Sequence, residues 1–322
     1  MKILIASSIH KTTIEKLREN HDVICEFNAK EDALKDLIRD REVLIFRSGV
    51  QITSAVMSCA PNLKLILRAG SGVDNIDLNY VRQHNLPLVR IPGPGGKAVA
   101  ELSFALMLDL ARNVFEADRL LRQGHWTKHQ MTGFLLTGKV LGIVGAGNIG
   151  TRIGKLGDAW GMEVIGCVEY PSPERAELLR QTGICLMEFD EVLERADFIS
   201  IHVPLKDSTR YLINSQTIAR MKKGAFLVNL ARGGVVDEAA LLQALNDGHL
   251  RGAALDVHEA EGEGKISPLA GLPNVVLTPH IGAETFDSQR EIGEVVLQTI
   301  ERFIEEQASS LLTASFASEL VI

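Results

Sequence analysis

The sequence predicts an α/β protein built on two doubly wound parallel sheets. Three observations predict it. Short apolar runs alternate with amphipathic helical patterns along most of the chain, the order that gives parallel strands with helices on both faces. The alternation breaks at Ile91-Pro92-Gly93-Pro94-Gly95-Gly96, the strongest turn-forming stretch in the sequence, which reads as a linker. Its 322 residues exceed what one hydrophobic core organises, so two domains are expected. The 28 glycines against 5% aromatics suit the many tight turns of such a fold.

Before the linker, strands are expected at Lys2–Ala6, Asp22–Cys25, Val43–Phe46, Leu63–Leu67 and Leu86–Val89. Helical spacing falls between them at Thr12–Asn20, Glu31–Asp40, Ser54–Cys59 and Ile76–Gln83. Thr53 is placed to cap the third helix, and Asp74 or Asn75 the fourth. After the linker the pattern predicts one long helix from Val99 to about Gln123, ended by Gly124. Strands resume at Lys139–Val144, Glu163–Val168, Phe198–Val203, Ala225–Leu230, Gly252–Val257 and Val275–Leu277. Asp237 is the expected N-cap of a helix over Glu238–Asn246. Ile292, Val296, Ile300 and Phe303 recur at helical spacing within Phe286–Glu306. The tail from Ala308 ends in apolar Leu320, Val321 and Ile322, which are expected to dock on the body.

Composition excludes several functions. With 34 Lys+Arg against 41 Asp+Glu the formal charge is −7, against the basic face that nucleic acid needs. No apolar run reaches the ~18 residues of a membrane span. Met1–Ala6 is too short for a signal peptide and runs into Ser7, Ser8 and His10. Cys25, Cys59, Cys167 and Cys185 form no CxxC pair and no metal spacing, which fits free thiols in a reducing cytoplasm.

The chemistry starts at Gly145-Ala146-Gly147-Asn148-Ile149-Gly150, a G-x-G-x-x-G between a strand and a helix. Gly145 permits the tight turn, Gly147 lets backbone approach a pyrophosphate, and Gly150 allows close helix–strand packing. The helix start supplies N–H groups and partial positive charge to the anion. No Gly-Lys-Ser/Thr follows, so a triphosphate site is not expected. Glu169, just past the next strand, is the candidate to accept hydrogen bonds from the ribose hydroxyls. Its charge favours NAD over NADP without excluding the latter.

Ligands in such sheets sit outside the carboxyl ends of the strands. There the sequence puts Arg232, then His258, Glu259 and Glu261, then His280. Arginine grips a carboxylate through its fork. Histidine exchanges the hydroxyl proton, and a carboxylate behind it orients the ring and raises its pKa. Oxidation of a 2-hydroxy acid requires that set. The bland readings of the same residues are a turn at Arg-Gly-Gly and a solvated acidic loop; a metal site at His258–Glu261 has no further ligand set.

Five ordered segments, Arg68–Asp77, Val99–Leu102, Leu227–Leu241, Gly252–Val257 and Asn274–Ala283, resemble the D-isomer-specific 2-hydroxyacid dehydrogenases. The resemblance implies Arg232 as the substrate-polarising arginine, His280 as general acid/base and Glu261 rather than Glu259 as its partner. Asp256 would meet the nicotinamide carboxamide. His202, Pro204, Thr209, Leu230, Ala231, His280 and Gly282 would join Gly145, Gly147, Asn148, Ile149, Gly150 and Glu169 around the cofactor. Ser71 and Gly72 would hold the substrate carboxylate. It also implies a Rossmann NAD domain over 99–287, inserted in a discontinuous flavodoxin-like substrate domain over 1–98 plus 288–322. A homodimer through the cofactor domain is the implied assembly. Arg47-Ser48 and Arg68-Ala69-Gly70, with Trp126, are most similar to 3-phosphoglycerate dehydrogenases, and Arg47, Arg68 and Arg232 are expected to gather as a cationic pocket for a small anionic substrate. The regulatory domain of the long form of that enzyme is not expected here. Three positions depart from the family pattern: Val168 stands where the ribose-binding Asp falls, Gly95 where the linker carries Asn, and Gly262 where Pro follows the catalytic Glu. Rival readings are a formate- or phosphite-type dehydrogenase and a non-enzymatic NADH-sensing corepressor.

Overall fold

The computed structural model describes residues 1–91 and 93–319, the side chains of 308–319 excepted. Pro92 of the linker and the apolar end Leu320, Val321 and Ile322 lie outside these residues. The chain splits into two compact units, Met1–Gly95 with Glu284–Ile322, and Gly96–Ala283.

The discontinuous unit carries β1 (Lys2–Ile5), β2 (Asp22–Cys25), β3 (Val43–Phe46), β4 (Leu65–Arg68) and β5 (Leu88–Arg90). They form one parallel sheet in the order β2-β1-β3-β4-β5. Successive residues of β1 alternate between two cores: Ile3 and Ile5 pack with Leu17, Ile292, Val296 and Ile300 on one face. Leu4 and Ala6 pack with Leu34, Val56 and Val81 on the other. That alternation is the period-two geometry of a strand buried on both sides. The helix Phe286–Glu319 thus returns to cover the first sheet.

The continuous unit carries β6 (Val140–Val144), β7 (Glu163–Cys167), β8 (Cys185–Leu186), β9 (Phe198–Ile201), β10 (Phe226–Asn229), β11 (Gly252–Leu255) and β12 (Val275–Leu277). All neighbours pair parallel in the order β12-β11-β10-β9-β6-β7-β8. Strand order reverses between β6 and β9, which makes a switch point beside the glycine loop. Phe226 and Val228 face one core and Leu227 the other.

Two local expectations need correction. The long helix after the linker is two helices, Gly95–Arg112 and Val114–Arg122. Asn113 between them has φ +52, which breaks the first helix, and the buried Asp109 carboxylate accepts the Phe115 N–H at 2.7 Å in the first turn of the second. The helix at Leu78–Gln83 is capped by Asp77, which accepts from Asn79 and Tyr80, and not by Asp74 or Asn75. Asn75 is buried and donates to the carbonyls of Arg47 and Val50.

Candidate active site

Sheet register decides which residues can meet. Across the seven-stranded sheet, Val144 pairs with Cys167 and with Ile201, Ile201 with Asn229, Asn229 with Leu255, and Leu255 with Leu277. The carboxyl ends of six strands therefore form one row. The residues that follow them, from Gly145, Val168, His202, Leu230, Asp256 and Thr278 onward, share one rim.

At the switch point the three fingerprint glycines meet different constraints. Gly145 has φ +98, and a Cβ there would lie 2.8 Å from the His202 carbonyl oxygen. A Cβ on Gly150 would lie 2.3 Å from the Gly145 oxygen. Nothing lies within 4 Å of a Cβ on Gly147, so bare backbone faces open space. The helix Asn148–Ala159 begins there with no side-chain cap, leaving its first N–H groups for an anion. A cavity of about 650 Å³ adjoins the loop, lined by Gly145–Gly147, Val168–Pro171, Arg175, His202–Pro204 and Thr209 among others. Its size suits a nucleotide-sized ligand. Thr209 Oγ1 donates to the Pro204 carbonyl at 2.6 Å and accepts from Lys206 N at 2.8 Å, which fixes the loop after β9. His202 pairs with Ser200 Oγ at 2.7 Å, and burial pushes its pKa down to about 3, so the ring stays neutral. Its Nδ1 is buried without a partner among the described residues, an orphan polar atom on the cavity wall. Glu169, the expected ribose acceptor, is held by Lys206 Nζ at 2.8 Å. Open backbone, uncapped helix, neutral imidazole and cavity together fit a dinucleotide.

Further along the rim, His280 and Glu261 meet. His280 Nδ1 donates to Glu261 Oε2 at 2.9 Å, and Glu261 Oε1 accepts the His258 N–H at 3.1 Å. The Glu261 hydrogen bond and charge raise the His280 pKa against burial and the nearby Arg232 guanidinium. Burial alone would raise Glu261, but His280 holds it below the usual carboxylate range. With Nδ1 engaged, Nε2 is the nitrogen left for a reacting group.

His280 sits at φ +56, a left-handed conformation uncommon outside glycine, which histidine adopts more readily than most residues. Asp256, which is buried, imposes it. The Asp256 carbonyl accepts His280 N–H at 2.8 Å, and its carboxylate takes Thr278 Oγ1 at 2.6 Å, Ile281 N at 2.9 Å and Gly282 N at 2.8 Å. Asp256, assigned by resemblance to the carboxamide, thus has its carboxylate engaged in shaping the loop 278–282.

Arg232 follows β10 through a turn that Asn229 wraps. Asn229 Oδ1 accepts Ala231 N at 3.0 Å and its Nδ2 donates to the Arg232 carbonyl at 3.1 Å. Leu230 and Ala231 are buried beneath. A Cβ on Gly233 would lie 1.8 Å from the His258 carbonyl oxygen, so only glycine lets this turn approach the loop that carries Glu261. That loop is pinned elsewhere by Glu259. Its Oε1 accepts Glu238 N at 2.9 Å, its Oε2 accepts the Tyr211 hydroxyl at 3.2 Å, and Glu259 N donates to Glu238 Oε1 at 2.7 Å. Asn229, Glu238 and Tyr211 are positioning groups that sequence reasoning missed. No spacing distinguishes them; the one signal that could have found any of them is that Asn229 is a polar residue at the end of an apolar strand.

In the discontinuous unit the register Phe46 with Arg68 sets Arg47 and the loop after Arg68 on one rim. Arg47 is buried and ion-paired with Glu284. Arg68 is also buried, its guanidinium 5.6 Å from the Phe46 ring centroid, and it fills the space where a Gly70 side chain would stand. Ser71 is exposed and Gly72 half-buried in the following bend. Trp126 is 81% exposed.

Comparisons with known proteins give the chain's relatives. The profile of the D-isomer specific 2-hydroxyacid dehydrogenase NAD binding domain matches residues 104–282. The D-3-phosphoglycerate dehydrogenase of Methanocaldococcus jannaschii is 41% identical over 305 residues, covering 94% of this chain and 57% of its own. The chain spans about half the length of the first curated relatives it matches. The hydroxypyruvate reductase of Thermotoga maritima is 38% identical, with 90% of this chain and 92% of that one covered. Among solved structures, the Aquifex aeolicus D-lactate dehydrogenase complexed with NAD and lactic acid superposes with a TM-score of 0.84 at 28% identity, over 96% of this chain and 97% of that one. No helix of the described residues is long and apolar enough to cross a membrane.

Proposed function

The chain belongs to the D-isomer-specific 2-hydroxyacid dehydrogenases, and from that premise we propose that it interconverts a D-2-hydroxy acid and its 2-keto acid with NAD. The observation that carries the reading is the 2.9 Å bond from His280 Nδ1 to Glu261, on the rim that also bears Arg232 and the glycine loop. The nicotinamide ring, when bound, accepts or supplies the hydride. Protonated His280 gives its Nε2 proton to the keto oxygen during reduction and recovers it from the hydroxyl during oxidation. Glu261 stabilises the imidazolium and fixes the ring. Arg232 binds the substrate carboxylate and polarises the carbonyl beside it.

For the substrate we propose a three-carbon acid oxygenated at C3, 3-phosphohydroxypyruvate first and hydroxypyruvate second. The similarity to phosphoglycerate dehydrogenases supports the first, with Arg47 and Arg68 as the cations for its phosphate and Ser71 with Gly72 at its carboxylate. A phosphate would have to displace Glu284 from Arg47, a cost that hydroxypyruvate, neutral at C3, does not carry. We further propose a cytoplasmic homodimer joined through Val114–Leu135, where Val114, Phe115, Leu121, Phe134 and Leu135 stand exposed. A screen of NADH and NADPH consumption over 2-keto acids tests the reading. Turnover of one or both substrates to the D-product is expected. NADH binding with no turnover on any keto acid would contradict it.

A further inference from the structure

The residues around the adenosine end of the cavity carry an inference beyond that reading, and it rests on the reading that the cavity takes a dinucleotide. In this fold the residue ending the second strand, here β7, governs the ribose. A carboxylate there accepts its hydroxyls and repels a 2′-phosphate. This chain has Val168 at that place, and the nearby carboxylate is Glu169. Glu169 is not alone. Lys206, from the loop after β9, reaches it at 2.8 Å, a pair about half exposed on both sides. Each partner favours the other's charged form: the Lys206 hydrogen bond holds Glu169 below the usual carboxylate range, and Glu169 raises Lys206. Arg175 also lines the cavity and donates to the Ala146 carbonyl, setting a guanidinium on the wall. The charged residues lining the cavity are then Glu169 and Glu188 against Arg175. Lys206 brings that balance from one net negative charge to zero.

We propose that Lys206 sets the nucleotide preference of this chain by neutralising Glu169, so that the cavity accepts a 2′-phosphorylated dinucleotide nearly as well as an unphosphorylated one. An exposed ion pair is weak and rearranges cheaply, so a 2′-phosphate can draw the ammonium onto itself as a stronger partner. With an unphosphorylated ribose the pair stays closed, and the hydroxyls meet the same Glu169.

Direct binding of NADH and NADPH to the full chain, read by nucleotide fluorescence, tests this without reference to turnover. Wild-type dissociation constants for the two are expected within about tenfold of each other. Lys206→Ala should weaken NADPH by about tenfold while changing NADH by less than about threefold, since only the phosphate loses a charge-assisted partner. Glu169→Gln should tighten NADPH, giving a second, independent arm. Added salt should weaken NADPH more than NADH. A wild-type preference for NADH beyond about a hundredfold, or an unchanged ratio in Lys206→Ala, would overturn the role of Lys206. Binding of neither nucleotide would overturn the cofactor reading itself.

Discussion

The two sheets of this molecule are wound alike, yet their carboxyl rims are chemically opposite. On the rim of the seven-stranded sheet the charged groups tune one another. Glu261 raises His280, Asp256 holds it at φ +56, and the Arg232 charge works against its protonation. On the rim of the five-stranded sheet the cations are folded in. Arg47 is buried against Glu284, and Arg68 lies over Phe46. The parallel sheet supplies only a row of places, and the loops decide what chemistry stands there. One rim carries a paired imidazole and carboxylate, the other buried cations.

Replacing His280 with Ala removes the group that all the loop bonds serve, and kcat should fall by about 10²–10⁴ with folding intact. Steady-state kinetics alongside circular dichroism check this; near-normal turnover would remove His280 from the chemistry. Gly233→Ala probes the scaffold instead. A Cβ 1.8 Å from the His258 carbonyl forces the turn and the Glu261 loop apart, at about 1–3 kcal/mol in stability. Thermal or urea unfolding measures the loss, and an unperturbed midpoint would show that the loops are not in register as described. The smallest effect sharpens the second rim. Glu284→Gln releases Arg47 from its ion pair, so kcat/KM for 3-phosphohydroxypyruvate relative to hydroxypyruvate should rise by about tenfold. An unchanged ratio would show that Arg47 does not meet the substrate's phosphate.

The same contrast explains what the sequence could tell. Strands such as Val43–Phe46 and Phe226–Asn229 are buried on both faces, so their apolar runs mark them, and their order dictates parallel pairing. The two-residue β8, Cys185–Leu186, sits at the sheet edge with no such run and left no signal. Arg232 and His280 were legible because each follows a strand and falls in a segment that resembles the family; Glu261 was separated from Glu259 only by what the resemblance implies. Asn229, Glu238 and Glu284 were not legible. Their roles depend on which backbone groups the loops bring within reach, and spacing does not encode that. The break at Asn113 was hidden for a like reason: the apolar periodicity continues while Asn113 turns left-handed and a buried side chain, Asp109, takes the Phe115 N–H.

In the proposed mechanism Glu261 tunes His280 as the acid that protonates the keto oxygen. That role is tested most directly by the pH dependence of kcat/KM for keto-acid reduction in wild type and Glu261→Gln. Because the acid form of His280 is needed and its pKa is raised by Glu261, wild-type activity should hold at low pH and fall as pH rises through a value above the ordinary 6.5. In Glu261→Gln that falling limb should move to lower pH. Coincident limbs in the two proteins would contradict the account.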